Sequence, residues 1–405
     1  MTMLSHFPNR LKRIFSILVI LILISLAVIV RVFLFPYSNH DMTDAVIPWY
    51  DYLIKGGGLQ AINGLHDKAN GFPPYIYSPP YLYLLTLAIP LTKWMTTLET
   101  IKLVSVVFDF LSAWSVFLLV RLRYPSGWKK WAAFFVVCFA PTVVINSAYW
   151  GQFDGIYTAF LAVSLYFVCI KKYSLSLVFF ATALAFKIQA LLFAPLFVVL
   201  LFQRKIVWWK FGIVPIIFFF WMIPAYLAGY PLLAPFTTYL GGATQFQSLT
   251  MNTPNLYTFL PNQFYGLIVP LGTFTAVLVT LALLWIVIQR EKEFTSERII
   301  LFILMISVVL PFILPKMHER YFYPAALFAI IFIFYSPQTR LIALSLQVTS
   351  LISYTPFLIG DELIPLSVAA CYNGIIVMVV CAMFCCEKYC AKTSFNLSVF
   401  LKKMS

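Results

Sequence analysis

The sequence predicts an all-α polytopic membrane protein. Hydrophobic residues fill 62% of its 405 positions, and charged residues fill only 10%. Soluble domains carry about 25% charged residues, so no soluble fold can hide this much apolar surface. The aromatic share of 18% suits lipid-facing helices and interfacial belts.

The net charge of +14 does not indicate a nucleic-acid partner. The basic residues occur in twos and threes between apolar runs, as the positive-inside rule predicts. A nucleic-acid footprint would need them clustered on one face. The sequence also has no Walker loop, no Rossmann fingerprint and no His-Cys metal cluster, so ATP-driven transport and soluble nucleotide-sugar chemistry lose support.

The first apolar run indicates a signal anchor. Arg10, Lys12 and Arg13 precede an apolar stretch at 14–30, which lacks the small-residue cleavage site of a secretory signal peptide. We expect a first helix at about 14–35 with its N-terminus in the cytoplasm. The loop at 36–80 then lies outside the cytoplasm.

The rest of the chain alternates apolar segments with short polar ones. Twelve further segments follow, at 81–96, 103–121, 131–149, 156–170, 173–186, 188–202, 207–229, 263–289, 297–315, 322–336, 339–357 and 366–387. Several are shorter than the roughly 20 residues that a straight span needs.

Charge bias assigns the loops between these segments to sides of the membrane. The segment at 81–96 has a short apolar core with Pro90, and we interpret it as re-entrant or interfacial. Twelve spans then remain, within an expected range of about 11–13. We expect one domain over 1–405, with a catalytic first loop at 36–80, a second extracytoplasmic loop at 230–262 and a cytoplasmic tail at 388–405.

The first loop is the densest patch of polar chemistry in the chain. Residues 45–54 could form a short amphipathic helix that ends at the three glycines at 56–58. Asp41 and Asp44 precede it, and a carboxylate at a membrane surface can accept a proton from an attacking hydroxyl. The alternative is a solvated acidic loop. Prolines at 73, 74, 79 and 80 predict an extended aromatic segment after it.

A second polar turn, Y-W-G-Q-F-D-G at 149–155, joins two apolar segments. Gly151 and Gly155 permit unusual backbone angles. Asp154 is a candidate second acid, or a group that holds the acceptor sugar or Asp41. The alternative is that Asp154 caps the next helix.

A third stretch, K-M-H-E-R-Y at 316–321, suits a phosphate. Arg320 can bind a phosphate through two parallel hydrogen bonds, and Lys316 or His318 can add charge. The alternative is an interfacial charge cluster whose side chains reach toward water.

Two further stretches carry polar residues in apolar surroundings. Lys187 lies within a nearly continuous apolar run, where an ionisable group is costly and usually functional; the alternative is a structural ion pair with Asp109. The stretch T-P-N-L-Y-T-F-L-P-N at 253–262 offers amides and aromatic rings to a sugar, or is an ordered linker.

Together these stretches resemble the integral-membrane glycosyltransferases of the GT-C fold. The chain is most similar to the group related to the second mannosyltransferase of glycosylphosphatidylinositol assembly and its bacterial relatives. The matching stretches are H-D-M-T-D followed by P-W-Y-D-Y-L, P-P-Y-L-Y-L-L, A-Y-W-G-Q-F-D-G-I-Y, A-F-K-I-Q-A, T-P-N-L-Y and K-M-H-E-R-Y-F-Y-P. They run from about 39 to 324.

The resemblance implies an inverting hexosyltransferase, a mannosyltransferase or one for another hexose, that acts on the extracytoplasmic face. The donor would be a polyprenyl-phosphate sugar and the acceptor a glycan or glycolipid. Some GT-C relatives use a divalent metal, but the carboxylates of this chain are scattered and its cations can stabilise the leaving phosphate, so we expect no metal and no cofactor. Asp41 would be the general base, with Asp44 as the alternative for that position, and Asp154 would be the second catalytic carboxylate. The donor phosphate would meet His318, Arg320, Lys187 and Lys316, and the sugar or acceptor would meet Asp44, Trp49, Gln152, Glu319, Gln189 and Asn255.

The same resemblance implies a multi-pass protein of the bacterial inner or plasma membrane, or of the endoplasmic reticulum in a eukaryote. Three other classes remain open. A transporter or flippase of lipid-linked sugars would also place ionisable residues near the membrane midplane. A lipid-linked glycan ligase or polymerase would share the chemistry, and a non-catalytic membrane subunit would tolerate loss of Asp41.

Overall fold

The chain is almost entirely helical in the computed structural model, which describes residues 9–66, 71, 73, 75–236, 246–291 and 294–386. Every apolar segment expected from the sequence forms helix. The α-helices are α1 (Asn9–Leu34), α2 (Ile47–Lys55), α3 (Pro80–Ala88), α4 (Thr97–Arg123), α5 (Lys129–Cys138), α6 (Pro141–Val144), α7 (Asp154–Cys169), α8 (Tyr173–Phe186), α9 (Ala194–Phe202), α10 (Ile213–Leu227), α11 (Tyr265–Arg290), α12 (Ser296–Ile313), α13 (Tyr323–Tyr335), α14 (Arg340–Leu358) and α15 (Leu366–Cys385).

Short 3₁₀ and π turns extend or join these helices. The π turns are Met42–Val46 and Ile145–Trp150, and the 3₁₀ turns are Gly58–His66, Ile89–Lys93, Ile188–Phe193, Trp208–Gly212, Leu256–Phe259, Asn262–Phe264 and Pro337–Thr339. Two two-residue strands, β1 (Thr250–Met251) and β2 (Met317–His318), pair in parallel. Over the described residues, the all-α prediction is therefore confirmed apart from this one pair.

Seven helices in the described residues are long and apolar enough to cross a membrane, or eight if one bent pair counts as a single span. The chain is therefore a multi-pass integral membrane protein. Four further apolar helices have only 10–17 residues, at Asp154–Cys169, Tyr173–Phe186, Ile188–Phe202 and Tyr323–Tyr335. The expected total of 11–13 spans counts these short helices as crossings, and the expected number stays a prediction.

The bent pair of helices corrects the prediction for residues 131–149. A single helix was expected over 131–149, but α5 and the helical stretch from Pro141 to Trp150 meet at an angle of 44°. Proline lacks an N–H for the helical hydrogen-bond ladder and forces the residue before it out of the helical region. Ala140 accordingly adopts an extended conformation, with φ −61° and ψ 122°.

The first loop folds into short helices, as expected. The predicted amphipathic helix is α2, which ends at Gly56, and Gly57 and Gly58 follow with positive φ. The extended aromatic segment ends earlier than expected, because Pro80 is the first residue of α3 rather than part of an extended chain. Proline suits that position, since its missing N–H has no helical partner there. Asp67, Pro74 and the tail at 388–405 lie outside the described residues.

The segment expected to be re-entrant or interfacial is short. Helix α3 has nine residues, and a 3₁₀ turn at Ile89–Lys93 continues it. The nine residues of the helix and the five of the turn together fall short of the roughly 20 that a straight span needs. The interpretation of 81–96 as a segment that does not cross stays a prediction, because helices counted as spans, such as Tyr323–Tyr335, are equally short.

Helix α4 is central to the bundle, whereas α1 lies at its edge. Only 11% of the apolar stretch of α1 is buried, against 61% for α4 and 78% for α12. The C-terminal end of α1 is the exception, since Arg31 in its last turn and Phe35 directly after it are 1% and 3% exposed. Helix α1 is thus attached to the bundle mainly at the end that leads into the first loop.

Candidate functional site

Arg320 lies at the centre of the candidate site. It follows β2 in the short connection between α12 and α13, and its side chain is buried. Its guanidinium lies 3.4 Å from Asp41 Oδ2, 3.6 Å from Asp154 Oδ2 and 3.3 Å from Glu319 Oε1. One cation therefore connects the first loop, the start of α7 and the connection that carries β2.

Asp41 is held by donors from the second polar turn. Trp150 Nε1 donates to its Oδ2 at 3.0 Å and Gln152 Nε2 donates to the same oxygen at 2.6 Å. The side chain of Asp41 is still 35% exposed. Within the described residues its second oxygen, Oδ1, accepts no hydrogen bond, so the carboxylate is oriented and accessible at the same time.

The two polar turns pack closely around this contact. Asn39 Nδ2 donates to the carbonyl of Trp150 at 2.8 Å. Gly151 ends the π turn with φ +86°, and a Cβ atom there would lie 2.7 Å from Met42 Sδ. Glycine is favoured both by the left-handed backbone and by the close approach of the first loop.

Asp154 is fully buried behind Arg320. Lys187 Nζ lies 2.5 Å from its Oδ1, and Asn146 Nδ2 donates to its Oδ2 at 3.3 Å. The alternative of a helix cap is not observed, because Phe153 occupies the N-cap position of α7 and Asp154 is the first helical residue. A carboxylate so enclosed can orient Arg320 and Lys187 but does not face a substrate.

Lys187 forms a structural ion pair, but the partner expected from the sequence, Asp109, is wrong. Asp109 pairs with Arg31, whose Nε lies 2.9 Å from Asp109 Oδ2, and Ser147 Oγ donates to the same oxygen at 2.5 Å. The partner of Lys187 is Asp154. Two separate buried ion pairs thus replace the single one that the sequence suggested.

A cavity of about 580 Å³ opens beside Arg320. Its polar end carries Arg320 and six other side chains that offer charge or hydrogen bonds, namely Tyr77, Lys187, Gln189, Lys316, His318 and Tyr321. Its other end is a groove between the 3₁₀ turn at Ile188–Phe193, α11 and α12, lined by Leu191, Leu192, Ala276, Val277, Leu281 and Leu310. The cavity is therefore amphipathic along its length.

Lys316 is the cation in this cavity that has only neutral partners. Its Nζ donates to the carbonyl of Phe246 and to the Tyr265 hydroxyl, and no ion pair to a described carboxylate involves it. Its φ of +61° lies in the left-handed region, which is uncommon for residues other than glycine. The strand pairing of Met251 with His318 places this segment beside the second loop.

Burial and charge shape the ionisation of the groups around Arg320. Burial alone would raise the pKa of Glu319, but the Arg320 guanidinium and the adjacent His318 hold it below its usual value. Burial raises the pKa of Tyr77 to about 12 and also raises the pKa of Tyr321. At neutral pH, Glu319 is therefore an anion and both tyrosines are neutral donors.

Some expected sugar-binding residues lie in the site and others do not. Gln152 contacts Asp41, Glu319 contacts Arg320, and Gln189 lines the cavity, where its Nε2 donates to the Tyr321 hydroxyl at 2.5 Å. Asp44 is exposed and bonds to Thr43.

Trp49 and Asn255 have structural partners instead. Trp49 is buried, and its Nε1 donates to the carbonyl of Pro73 at 2.6 Å. Asn255 is buried too, and its Nδ2 donates to the carbonyls of Pro311 and Leu314. Their surroundings assign both residues to the scaffold, where they hold the first loop and the end of α12 in place.

Sequence reasoning missed several residues that the structure brings to the site. Tyr77 and Tyr321 stand in stretches already singled out, and alternating tyrosines beside prolines were the available signal for Tyr77. Nothing in the sequence indicated Asn146 or the apolar groove, because the residues that form them lie in segments with the pattern of ordinary apolar helices. Within the described ranges, no three His, Cys, Asp or Glu side chains are grouped as metal ligands, and metal independence stays a prediction.

Comparison with protein-family models and with curated proteins gives no match for this chain. The resemblance to GT-C glycosyltransferases therefore rests on the motifs quoted above.

Proposed function

We propose that this chain is an inverting glycosyltransferase that moves a hexose from a polyprenyl-phosphate donor to a glycan or glycolipid acceptor, on the extracytoplasmic face of the membrane. The observation that carries this proposal is the pairing of an oriented, accessible carboxylate with an amphipathic cavity. Arg320 belongs to both, because it lines the cavity and contacts Asp41.

The shape and polarity of the cavity support an amphiphilic anion as its occupant. Its polar end offers Lys316, Arg320 and His318 to a phosphate, and charge-assisted hydrogen bonds to phosphate are among the stronger ones. Its apolar groove runs along α11, a helix with mostly exposed side chains. A lipid tail can occupy that groove while its phosphate stays at the polar end.

The carboxylate supplies the other half of the reaction. Asp41 accepts hydrogen bonds from Trp150 and Gln152 on one oxygen, which fixes its orientation and leaves the other oxygen free to take a proton. In the proposed step an acceptor hydroxyl attacks the anomeric carbon and gives its proton to Asp41. The bond between that carbon and the phosphate oxygen breaks, and the electron pair leaves with the phosphate.

The cations beside Asp41 would stabilise the leaving phosphate. Stabilising charge that develops in the transition state is usually the largest electrostatic contribution to catalysis. Arg320 and Lys316 would act on the phosphate directly, whereas Asp154 would hold Lys187 and Arg320 in place. The three nearby carboxylates balance these cations, so the site remains stable when the donor is absent.

Transfer by the purified full-length chain tests this proposal. The donors are undecaprenyl-phosphate mannose, glucose and galactose, and the acceptors are octyl glycosides of the same sugars. We expect a glycoside product whose anomeric configuration is opposite to that of the donor. Movement of the donor across proteoliposome membranes without transfer would instead identify a flippase and would contradict the proposal.

A further inference from the structure

The end of α1 nearest Asp41 is attached to α4 by a buried cation. Lys102, in the second turn of α4, is fully buried. Its Nζ donates to three main-chain carbonyls, those of Leu34 at 3.2 Å, Phe35 at 3.1 Å and Tyr37 at 2.5 Å. All three N–H donors of the ammonium are therefore used, and no ion pair between Lys102 and a described carboxylate occurs.

This arrangement stabilises the carboxyl end of α1, because Leu34 is its last residue and Phe35 and Tyr37 follow within three positions. The last carbonyls of a helix have no partner within it and carry the negative end of the helix dipole. A cation at this position stabilises the helix end because it offers hydrogen bonds to carbonyls and a positive charge to the dipole. Burying a lysine away from water is costly. A buried lysine therefore needs these hydrogen bonds, whereas an exposed lysine at a helix end could bind water instead.

The capped segment leads directly to the proposed base. Tyr37 stands four residues before Asp41, and between them Asn39 donates to the carbonyl of Trp150. Residues 34–41 are thus fixed at one end by Lys102 and at the other by the turn that also donates to Asp41. Helix α1 is otherwise largely exposed, and the buried ion pair between Arg31 and Asp109 is a second attachment near this segment.

We propose that Lys102 is a positioning residue: its ammonium, bound to the carbonyls of Leu34, Phe35 and Tyr37, sets the location of Asp41 relative to Arg320. The proposal makes two statements. The first is that Lys102 keeps residues 35–46 ordered. The second, that Lys102 supports turnover, rests on the proposed transferase function. A shift of about 1 Å in a reacting group can cost on the order of 100-fold in rate, so loss of this contact is expected to lower turnover.

The test compares Lys102→Met, which loses the charge and all donors, with Lys102→Arg, which keeps both. Lys93→Met is the matched control, because Lys93 is an exposed lysine shortly before α4. Hydrogen exchange of the peptide covering 35–46 is measured without substrate, and kcat and KM are measured in the transfer assay. If Lys102→Met does not fold, Lys102→Gln, which keeps two amide donors, replaces it.

We expect faster exchange over 35–46 in Lys102→Met, a fall of kcat by about 10- to 100-fold, and a donor KM within about twofold of wild type. Lys102→Arg should recover at least part of the turnover. Unchanged exchange and unchanged kcat in Lys102→Met, or equal losses in the Met and Arg variants, would overturn the positioning role. If the wild type has no transferase activity, the proposed function fails, and the exchange result alone decides whether Lys102 orders the loop.

Discussion

The guanidinium of Arg320 lies 3.4 Å from the carboxylate of Asp41, although 279 positions separate the two residues in the chain. Arg320 is buried and Asp41 is about one-third exposed. The same guanidinium also reaches Asp154 and Glu319. This contact joins the first loop to the cavity and is the geometric basis of the proposed site.

Replacing Arg320 tests that contact. Arg320→Lys keeps the charge, but a single ammonium cannot reach three carboxylates and a phosphate together. We expect kcat/KM to fall by about 100-fold, with retained folding. Arg320→Met leaves the buried Asp154 and Glu319 without this cation and should destabilise the protein by about 3–5 kcal/mol. Steady-state kinetics and thermal unfolding in detergent check these expectations, and near-normal kinetics in Arg320→Lys would contradict them.

Lys316 is predicted to act on the donor phosphate. A hydrogen bond to a charged group contributes about 1.5–3 kcal/mol, so Lys316→Gln should weaken binding of undecaprenyl phosphate by roughly 10- to 100-fold. Lys55→Gln is the control, since Lys55 is an exposed lysine of the first loop. Binding is measured by isothermal titration with undecaprenyl phosphate in detergent. Equal affinities for the two variants would remove Lys316 from the phosphate site.

The apolar groove is predicted to hold the lipid tail. Val277 lines it, whereas the neighbouring Leu278 does not, and the two side chains are 50% and 49% exposed. Val277→Trp should raise the KM for a long-chain donor at least about fivefold, because a large side chain fills the groove. Leu278→Trp should leave it near the wild-type value. A donor KM that both variants raise equally would place the tail elsewhere.

Gly151 is predicted to keep Asp41 in position as well as to allow the backbone turn in which it lies. Gly127 also has positive φ, at 82°, but a Cβ atom there meets nothing within 4 Å. Gly127→Ala should therefore lose only the roughly 1 kcal/mol that the left-handed conformation costs.

Gly151→Ala adds a clash with Met42 Sδ and should displace Asp41, so we expect a larger loss of stability and at least tenfold lower turnover. Thermal unfolding and kinetics of the two variants are compared. Equal effects of the two substitutions would show that Met42 yields without moving Asp41.

The sequence was sufficient to locate the helices but not their partners. Long apolar runs predict helices because only an internally hydrogen-bonded backbone is stable in lipid. The break before Pro141 was missed because the apolar run continues unchanged through it.

Likewise, Lys187 and Arg31 each needed a carboxylate, but Asp109 and Asp154 are equivalent candidates until the packing of α1, α4 and α7 is known. The motif residues that meet at Arg320 could be named from the sequence. The apolar groove could not, because it arises where α11 and α12 pack beside the turn at Ile188–Phe193.

The central claim is that Asp41 is the base of a transfer reaction, and Asp41→Asn tests it most directly. The amide keeps nearly the same shape but cannot accept the proton, and loss of a general base costs about 10²–10⁴-fold. Asp44→Asn is the matched control, because Asp44 is an exposed carboxylate in the same loop with no contact to Arg320. In the polyprenyl-phosphate hexose assay, the account predicts that Asp41→Asn loses at least about 100-fold in kcat while Asp44→Asn stays within about twofold of wild type. Near-normal turnover in Asp41→Asn would contradict it.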